Sequence, residues 1–445
     1  MELCLPFWAL DLIRRLEAAG YEAYAVGGCV RDAILGRPLN DIDMTTSATP
    51  EQVKAVFAGY SVLETGIKHG TVTVLAEGNP VEITTYRSET GYADGRHPDA
   101  VTFGCSLSED LARRDFTVNA MAYHPDRGLV DLFGGREDLA ARTIRCVGEP
   151  RRRFEEDALR ILRALRFSSV LDFSIETETE QALRTLAERV SLVSVERITA
   201  ELTRLLTGVR AGAILREYPR VIGTFLPELL PAIGFEQHNY HHKYNVLDHI
   251  AAALDAAPAD RTMRLAALLH DIAKPLCFFR DEEGVGHFYG HAAKGAEMAE
   301  TILRRLRLDN RTIEDVTLLV RHHDGPIEED KRAVRRKMAK IGQENLLRLL
   351  ALQRADCMGQ ADELRTRLSH YDTLERIARE IVEADECISL NRLAVSGHDL
   401  MAMGYRGRAV GNALRMLLEA VLSERVANEK DALLNYLTSC DSRNA

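Results

Sequence analysis

The hydrophobic pattern changes period along the chain. Leu10 to Ala19 repeats apolar residues at helical spacing and predicts an amphipathic opening helix. Tyr24-Ala25-Val26 is a short apolar run, read as a buried strand, and Gly27-Gly28 break it. Cys29 to Leu35 predicts a short helix closed by Gly36, with Pro38 beyond. Asp41 to Thr45 predicts a second strand, and Thr49 caps a helix running from Pro50 to about Phe57. Strands follow at Ser61–Glu64, Thr71–Ala76 and Val81–Tyr86. Side chains alternate across a strand, so Asp41 and Asp43 share one face and Ile42 takes the other; Val81 and Ile83 likewise oppose Glu82 and Thr84. Residues 87–105, rich in Gly, Asp and Pro, predict a long functional loop. Arg153 to Phe167 is helical with few breakers, and Leu364 to Ala384 predicts a long amphipathic helix. Ser396 caps a short helix that Gly404 ends.

Composition adds limits. A chain of 445 residues is too long for one core and suggests about three units. It has no run of eighteen apolar residues, hence no expected membrane span. Glu2, Asp11, Arg14, Arg15 and Glu17 make the first twenty residues a poor signal peptide. Eight scattered cysteines with no C-x-x-C pair suggest reduced thiols in a cytoplasm, rather than a disulfide frame or zinc ribbon. A net charge of -10 speaks mildly against nucleic acid, but RNA needs only a local basic face. Arg151-Arg152-Arg153 and the basic run Lys331 to Lys340 are either such faces or solvated helix surfaces. No obligate protein partner is evident.

Candidate chemistry gathers in three places. Two carboxylates a pleat apart, Asp41 and Asp43, suit a divalent metal, and Gly27-Gly28 let backbone N–H groups approach an anion. Metal beside phosphate is the arrangement for in-line transfer at phosphorus. Alone, an Asp-x-Asp is usually a cap and a Gly-Gly usually a turn; their order between two strands favours a site. Glu82 is a third carboxylate if its strand neighbours theirs, and otherwise a solvent-facing Glu. Asp157 and Arg160, three apart on a helix, offer an acceptor and a donor that imitate a pairing partner for cytosine and adenine; the same spacing also serves an intrahelical ion pair. Beyond residue 236 histidines crowd in: His238, His241, His242, His249, His270, His287, His291, His322 and His323. Adjacent His270-Asp271 on a helix, with distant His and Asp, can build a mixed nitrogen and oxygen site for a transition metal.

The run from Gly27-Gly28 through Val30-Arg31-Asp32 to Ile34-Leu35-Gly36, followed by Asp41 and Asp43, resembles the signature of class II tRNA nucleotidyltransferases and bacterial poly(A) polymerases, within the polymerase-beta-like nucleotidyltransferases. The resemblance implies an α+β fold, with a mixed-sheet head over residues 1–148 and an all-α remainder. That remainder would comprise a neck at 149–235 for nucleotide selection and RNA binding, an HD metal-dependent phosphohydrolase-like unit at 236–360, and a tRNA-binding tail at 361–445. It implies magnesium on Asp41 and Asp43 with Glu82 as the third acid, and phosphates positioned by Gly27, Gly28 and Arg31. Arg113-Arg114-Asp115 with Asn119 matches a second motif. There the resemblance gives Arg114 the triphosphate, and lets Asp115 and Asn119 contact sugar or phosphate or hold the turn. Asp131 to Leu139 matches a motif at the head-to-neck junction that flexes between steps. Glu156, Asp157 and Arg160 match the nucleotide-selecting motif, Arg163 a further nucleotide contact, and Val195 to Ile198 a supporting segment. The sequence Asp94-Gly95-Arg96-His97-Pro98-Asp99 looks like the CCA-adding version of the family's flexible loop.

Leu268 to Lys274, around His270-Asp271, resembles an HD phosphohydrolase. The pattern implies a first metal on His249, His270, Asp271 and Asp356. A second metal would be held by His291 and either His322 or His323; Ni2+, Co2+ or Mn2+ would suit. Leu390 to Leu422 resembles the C-terminal segment of Bacillus-like CCA-adding enzymes, where Arg406 and Arg408 either lie against RNA or sit between helices. The expectation is therefore addition of C, C and A to the tRNA 3' end from CTP and ATP, in the cytoplasm, with a second hydrolase site. The alternatives are a poly(A) polymerase or a CC- or A-adding enzyme; in another class, an HD phosphohydrolase with an RNA-binding head; and last, a non-catalytic RNA-binding regulator.

Overall fold

The computed structural model describes residues 3–39, 41–64, 66–90, 100–240, 243–384 and 386–441. The chain divides into two compact units, Met1–Pro227 and Glu228–Ala445.

In the first unit the strands are β1 (Ala23–Val26), β2 (Ile42–Thr46), β3 (Ser61–Leu63), β4 (Thr71–Ala76), β5 (Asn79–Thr85), β6 (Arg87–Thr90), β7 (Ala100–Phe103), β8 (Met121–His124) and β9 (Gly128–Asp131). Seven of them form one mixed sheet in the order β3-β4-β5-β2-β1-β8-β9; β6 and β7 pair separately as an antiparallel ribbon. The ribbon occupies the ends of the stretch expected to be a loop, and Asp94 to Asp99 lies outside the described residues. Alternation decides which face is buried. Ile42, Met44, Val72, Val74, Val81 and Ile83 point inward, and Phe57, Leu12 and Leu16 from flanking helices cover them. Thr49 and Gln52 form a reciprocal capping box ahead of Pro50, which starts the helix Pro50–Val56 as its residue types dictate.

The expected neck helix from Arg153 to Phe167 is two helices, Pro150–Glu156 and Leu159–Leu171. Asp157 sits between them in extended conformation (φ -145°, ψ 106°). A short polar side chain can compete with the helix for backbone donors, and the Asp157 carboxylate accepts from Leu159 N–H at 3.0 Å. It also accepts from Arg197 of the helix Val195–Leu206, at 2.7 Å. Asp157 and Arg160 therefore do not share one continuous helical face. Phe116 of the head packs edge-on against Phe167 of the neck, joining the two parts of this unit.

The second unit is helical. Val246–Ala256, Arg261–Leu269, His291–Arg305, Asn310–His322 and Gln343–Met358 surround the histidines, beside a two-residue hairpin of Phe279–Arg280 and Gly286–His287. Lys331–Ile341 lies between Asn310–His322 and Gln343–Met358 in sequence, and Leu368–Glu383, Gly397–Ala402, Arg408–Leu422 and Lys430–Asp441 follow. A small core of Val395, Leu400, Leu417, Leu433 and Leu437 holds the last three. Ser396 caps Gly397–Ala402 as its type suggests. The basic run Lys331 to Lys340 is largely neutralised. Lys331 and Arg335 pair with Glu386, Arg332 and Arg335 with Glu424, and Arg336 with Glu419. Arg151 and Arg152 likewise pair one turn along with Glu155 and Glu156. Most of both runs is thus paired with acids, while Lys337 and Lys340 lie beside His322 and Arg321. Among the described residues no helix is long and apolar enough to cross a membrane.

Candidate functional site

Strand β1 delivers the chain to Gly27, whose backbone (φ 78°, ψ -129°) suits only glycine, and the helix Gly28–Ile34 starts at once. A Cβ at Gly27 would lie 3.1 Å from Arg114 Nη1. The turn thus brings backbone and guanidinium close together. Asp41 precedes β2 and Asp43 lies within it, on the side away from Ile42 and Met44. Strands β2 and β5 are parallel with Asp43 opposite Glu82, so the third carboxylate stands on the neighbouring strand. Burial raises Asp43 to about 6; the Glu82 charge adds to it, Arg114 opposes it, and Asp41 adds a little more. A half-desolvated acid beside two others is poorly satisfied by protein alone and fits a divalent cation.

Asp41 and Asp43 open on a cavity of about 300 Å³ that also holds Gly27, Gly28, Arg31, Arg114, Asp115, Asn119 and Arg163. A chain of side-chain bonds fixes its wall. Arg31 donates to Asn119 at 2.7 Å, Asn119 donates to Asp115 at 3.2 Å, and Arg163 donates to Asp115 at 2.7 Å. Burial alone would raise Asp115; the charge and hydrogen bonds of Arg163, helped by Arg160 and Asn119, outweigh it and hold Asp115 near 2. Asp115 is thus a buried anchor that orients Arg163, and Asn119 orients Arg31. Asp110, buried within the short helix Leu107–Ala112, does the same for Arg113 and Arg114.

Three expected residues, Glu82, Asp157 and Arg160, are not in this cavity lining. Asp157 is engaged with Arg197, and Arg160 is buried, donating to Glu156 Oε2 at 2.7 Å and to the Arg153 and Arg113 carbonyls. Two residues not singled out in the sequence do line it, Arg166 and Arg204. Arg166 continues the three-residue spacing of Arg160 and Arg163, a signal that was present. Arg204 comes from the helix Val195–Leu206, and nothing local marks it.

The second constellation is tighter. His249 Nε2 lies 3.1 Å from His270 Nε2, 3.1 Å from Asp271 Oδ2 and 3.0 Å from Asp356 Oδ1. The other oxygen of Asp271 faces His291 Nε2 at 3.3 Å and His323 Nε2 at 3.5 Å, with those two rings 3.2 Å apart. Asp271 therefore joins two ligand sets, His249–His270–Asp271–Asp356 and Asp271–His291–His323. All four histidines donate Nδ1–H to a backbone carbonyl, of Gly359, Ala267, Phe288 and Val320 respectively, at 2.7–2.9 Å. That fixes the tautomer and turns the Nε2 lone pairs toward one another. Two neutral Nε2 atoms 3.1 or 3.2 Å apart cannot hydrogen-bond to each other, and a cation shared between them and the carboxylates satisfies both, so the donor set fits a transition metal. His322 is not part of it. Neighbouring residues on a helix point about 100° apart, so only one of the pair faces inward. His322 instead lies among Lys337, Lys340 and Arg321, and burial together with those charges lowers it to about 4.

The mixed sheet with its acid pair, followed by a helical body, defines a nucleotidyltransferase of the poly(A) polymerase type. The Poly A polymerase head domain model matches residues 23–145, a polymerase A model named for RNA and SrmB binding matches 172–218, and tRNA nucleotidyltransferase domain 2 matches 287–437. The CCA-adding enzyme of Lactobacillus delbrueckii subsp. bulgaricus is 36% identical over 430 residues, covering 96% of each chain. That of Enterococcus faecalis is 34% identical, covering 96% of this chain and 94% of its own. The crystal structure of the Bacillus stearothermophilus CCA-adding enzyme in complex with CTP is similar at a TM-score of 0.77 and 31% identity, over 98% of this chain and 97% of that one. The chain belongs to the CCA-adding enzymes, and membership implies a divalent cation, usually Mg2+.

Proposed function

We propose that the head adds C, C and A to the 3' end of tRNA from CTP and ATP, at the cavity that joins Asp41 and Asp43 to the arginine wall. The observation that carries this is the pairing of opposite charges across one small space. Carboxylates with no ion pair or side-chain hydrogen bond among the described residues, Asp41 and Asp43, lie on one side, and guanidiniums held by Asp110, Asp115 and Asn119 on the other. Arg31, Arg114 and Arg163 are oriented to take triphosphate oxygens, and Gly27-Gly28 leave room for the phosphates. Asp41 and Asp43, with Glu82 beside them, would hold Mg2+, which when bound neutralises the phosphates and lowers the pKa of the terminal hydroxyl. Base choice falls to Asp157 and Arg160, whose pairing edges come free when Asp157 leaves Arg197 and Arg160 leaves Glu156 and the Arg153 and Arg113 carbonyls; both cytosine and adenine offer an amino group beside an acceptor nitrogen. The acceptor arm, an A-form helix, is read by shape and backbone. Incubation of the protein and magnesium with tRNA lacking its 3' end, supplied with CTP, ATP or both, tests this by length. Two additions with CTP and a single stop after A are expected. A long ladder with ATP alone would instead indicate a poly(A) polymerase.

The second unit carries its own reading, favoured by the two ligand sets that share Asp271: a metal-dependent phosphohydrolase. A bound transition metal such as Ni2+, Co2+ or Mn2+ would polarise a phosphoester and its attacking water. In the reaction a water oxygen bonds to phosphorus, the P–O ester bond breaks, and a proton passes to the leaving oxygen. The chain's own contribution is to aim the Nε2 atoms of four imidazoles at one another by tying each Nδ1–H to a backbone carbonyl, and to place Lys274 2.7 Å from Asp271. Release of phosphate or opening of a phosphodiester after loading with each metal tests it, and no turnover with any of them would remove the reading. The remaining helices to residue 441 are proposed as the tRNA-binding tail.

A further inference from the structure

The guanidiniums that line the head cavity are of two kinds. Four are held in place. Arg31 donates to Asp32 at 2.8 Å and to Asn119 at 2.7 Å, Arg114 pairs with Asp110 at 3.3 Å, Arg163 donates to Asp115 at 2.7 Å, and Arg166 to Glu201 at 2.6 Å. Three of these also lie over the Phe167 ring, Arg166 at 3.6 Å from its centroid, Arg31 at 5.1 Å and Arg163 at 5.3 Å. Arg204 is the fifth, and among the described residues its guanidinium has neither an acid nor a ring as partner. Its own helix, Val195–Leu206, offers Glu201 at a spacing of three, which ordinarily pairs. The Glu201 oxygens face other arginines instead, Oε2 to Arg166 at 2.6 Å and Oε1 to Arg163 at 3.9 Å.

Exposure sorts the lining in the same way. Of the residues around the cavity only Asp41 and Arg204 are exposed. The open side therefore carries one acid and one unpaired cation, and a ligand too large to enter whole meets these first. The two kinds of arginine suit two kinds of anion. A triphosphate is the same at every addition, so preset guanidiniums bind it with little loss of freedom. An RNA end differs after each addition, since the strand withdraws by one nucleotide and its last base is not constant. A long, free guanidinium adapts to such an end, and a contact to phosphate reads no base. On the proposed reading Asp41 shares the cation that lowers the pKa of the terminal hydroxyl. The last phosphodiester, one sugar away from that hydroxyl, then falls on the same open side.

Resting on the nucleotide-addition reading of this cavity, we propose that Arg204 holds the last phosphodiester of the RNA strand and so positions its 3' hydroxyl at Asp41 and Asp43. The contact is an ion pair with N–H donors on the phosphate oxygens, and no bond forms or breaks at Arg204.

The test measures binding apart from turnover. The full chain and its Arg204→Ala and Arg204→Lys variants are titrated with tRNA lacking its 3' CCA, without nucleotide, at a series of salt concentrations. Arg204→Ala is expected to weaken binding about tenfold and to lower the slope of log Kd against log salt by about one, while binding of CTP alone stays within about twofold. Arg204→Lys keeps the charge and restores the slope, whereas loss of a merely structural side chain leaves the slope where it was. The place of the contact is tested with a neutral methylphosphonate at the last linkage. It is expected to cost the unsubstituted chain about tenfold in affinity and to cost Arg204→Ala nothing further. An unaltered slope overturns the proposal. So does multiplication of the two losses, which puts Arg204 on another phosphate. Loss of CTP affinity with the slope unaltered assigns Arg204 to the triphosphate instead. If the unsubstituted chain adds no nucleotide while the slope and linkage results hold, the addition reading falls and the RNA contact stands.

Discussion

The head cavity and the histidine pocket both present acids to a cation, and they do so in opposite ways. In the pocket the protein supplies nearly everything: four imidazoles locked by backbone carbonyls, the buried Asp271 and the partly buried Asp356 within a few ångströms. In the head, Asp41 is exposed, Asp43 is partly buried, and Glu82 stands across a strand; the three are not among the tight ligand groups of the described residues. The opposite wall is arginine, not histidine. A cation held by protein alone needs a closed, rigid donor set. One that works on a triphosphate leaves positions for substrate oxygens, so its protein ligands are few and open. On the proposed reading, the raised Asp43 and the arginine wall are the two sides that would receive a metal–nucleotide complex.

The comparison breaks most sharply at the acids. Asp43→Ala is expected to lower nucleotide addition by at least about a thousandfold while leaving metal uptake by the histidine pocket unchanged; extension gels and metal analysis on the same preparation check both. Retained addition would move the head site elsewhere. The converse variant, His270→Ala with Asp271→Ala, is expected to abolish tight binding of one Mn2+ or Ni2+ equivalent in calorimetry and to leave addition within about twofold. A large loss of addition would mean that the two constellations work as one.

How much of this was legible differs between the two regions. The head's acids, glycines and arginines lie in short motifs whose spacing is set by strand alternation and one turn, so residue type and position sufficed. Glu82 needed strand neighbours, and only the parallel pairing of β2 with β5 supplies them. The neck was misread because helix propensity runs unbroken from Arg153 to Phe167. The break depends on Arg197, forty residues away, which the sequence marks only as a supporting segment. Arg204 was missed for the same reason. In the pocket, His322 and His323 cannot be separated by residue type; the helix that carries them decides which one turns inward.

A smaller effect tests the head's framework. Asp115 sits near 2 in the folded protein against an ordinary value near 3.8, since the Arg163 charge and hydrogen bonds outweigh burial. A lowered carboxyl contributes stability that is complete above its unfolded pKa and is lost as pH falls through the folded one. The difference corresponds to about 2 kcal/mol at neutral pH. Asp115→Asn is therefore expected to destabilise the first unit by about that amount at pH 7, and to flatten the acid limb between roughly pH 4 and 2 in denaturant melts. An unaltered acid limb would mean that Arg163 is held by other groups.

The smallest expected effect concerns the bond between Asp157 and Arg197. If base choice belongs to Asp157, Arg197 competes with the base for the same carboxylate, at 2.7 Å in a partly buried site. Arg197→Ala removes the competitor but also frees the break between the two neck helices. The two consequences differ in their readout. Relief of competition lowers KM for CTP and ATP together, by about two- to fivefold, as expected for one partly exposed ion pair. Loss of alignment leaves KM for CTP and ATP little altered and raises incorporation of UTP and GTP, because the carboxylate no longer meets an amino group at a fixed angle. Asp157→Asn separates them further, since it keeps the shape at residue 157 and removes the charge that both Arg197 and the base amino group require. If Asp157→Asn and Arg197→Ala leave discrimination and KM untouched, selection lies with the arginines that line the cavity, Arg163, Arg166 and Arg204, and the neck break is only a structural joint.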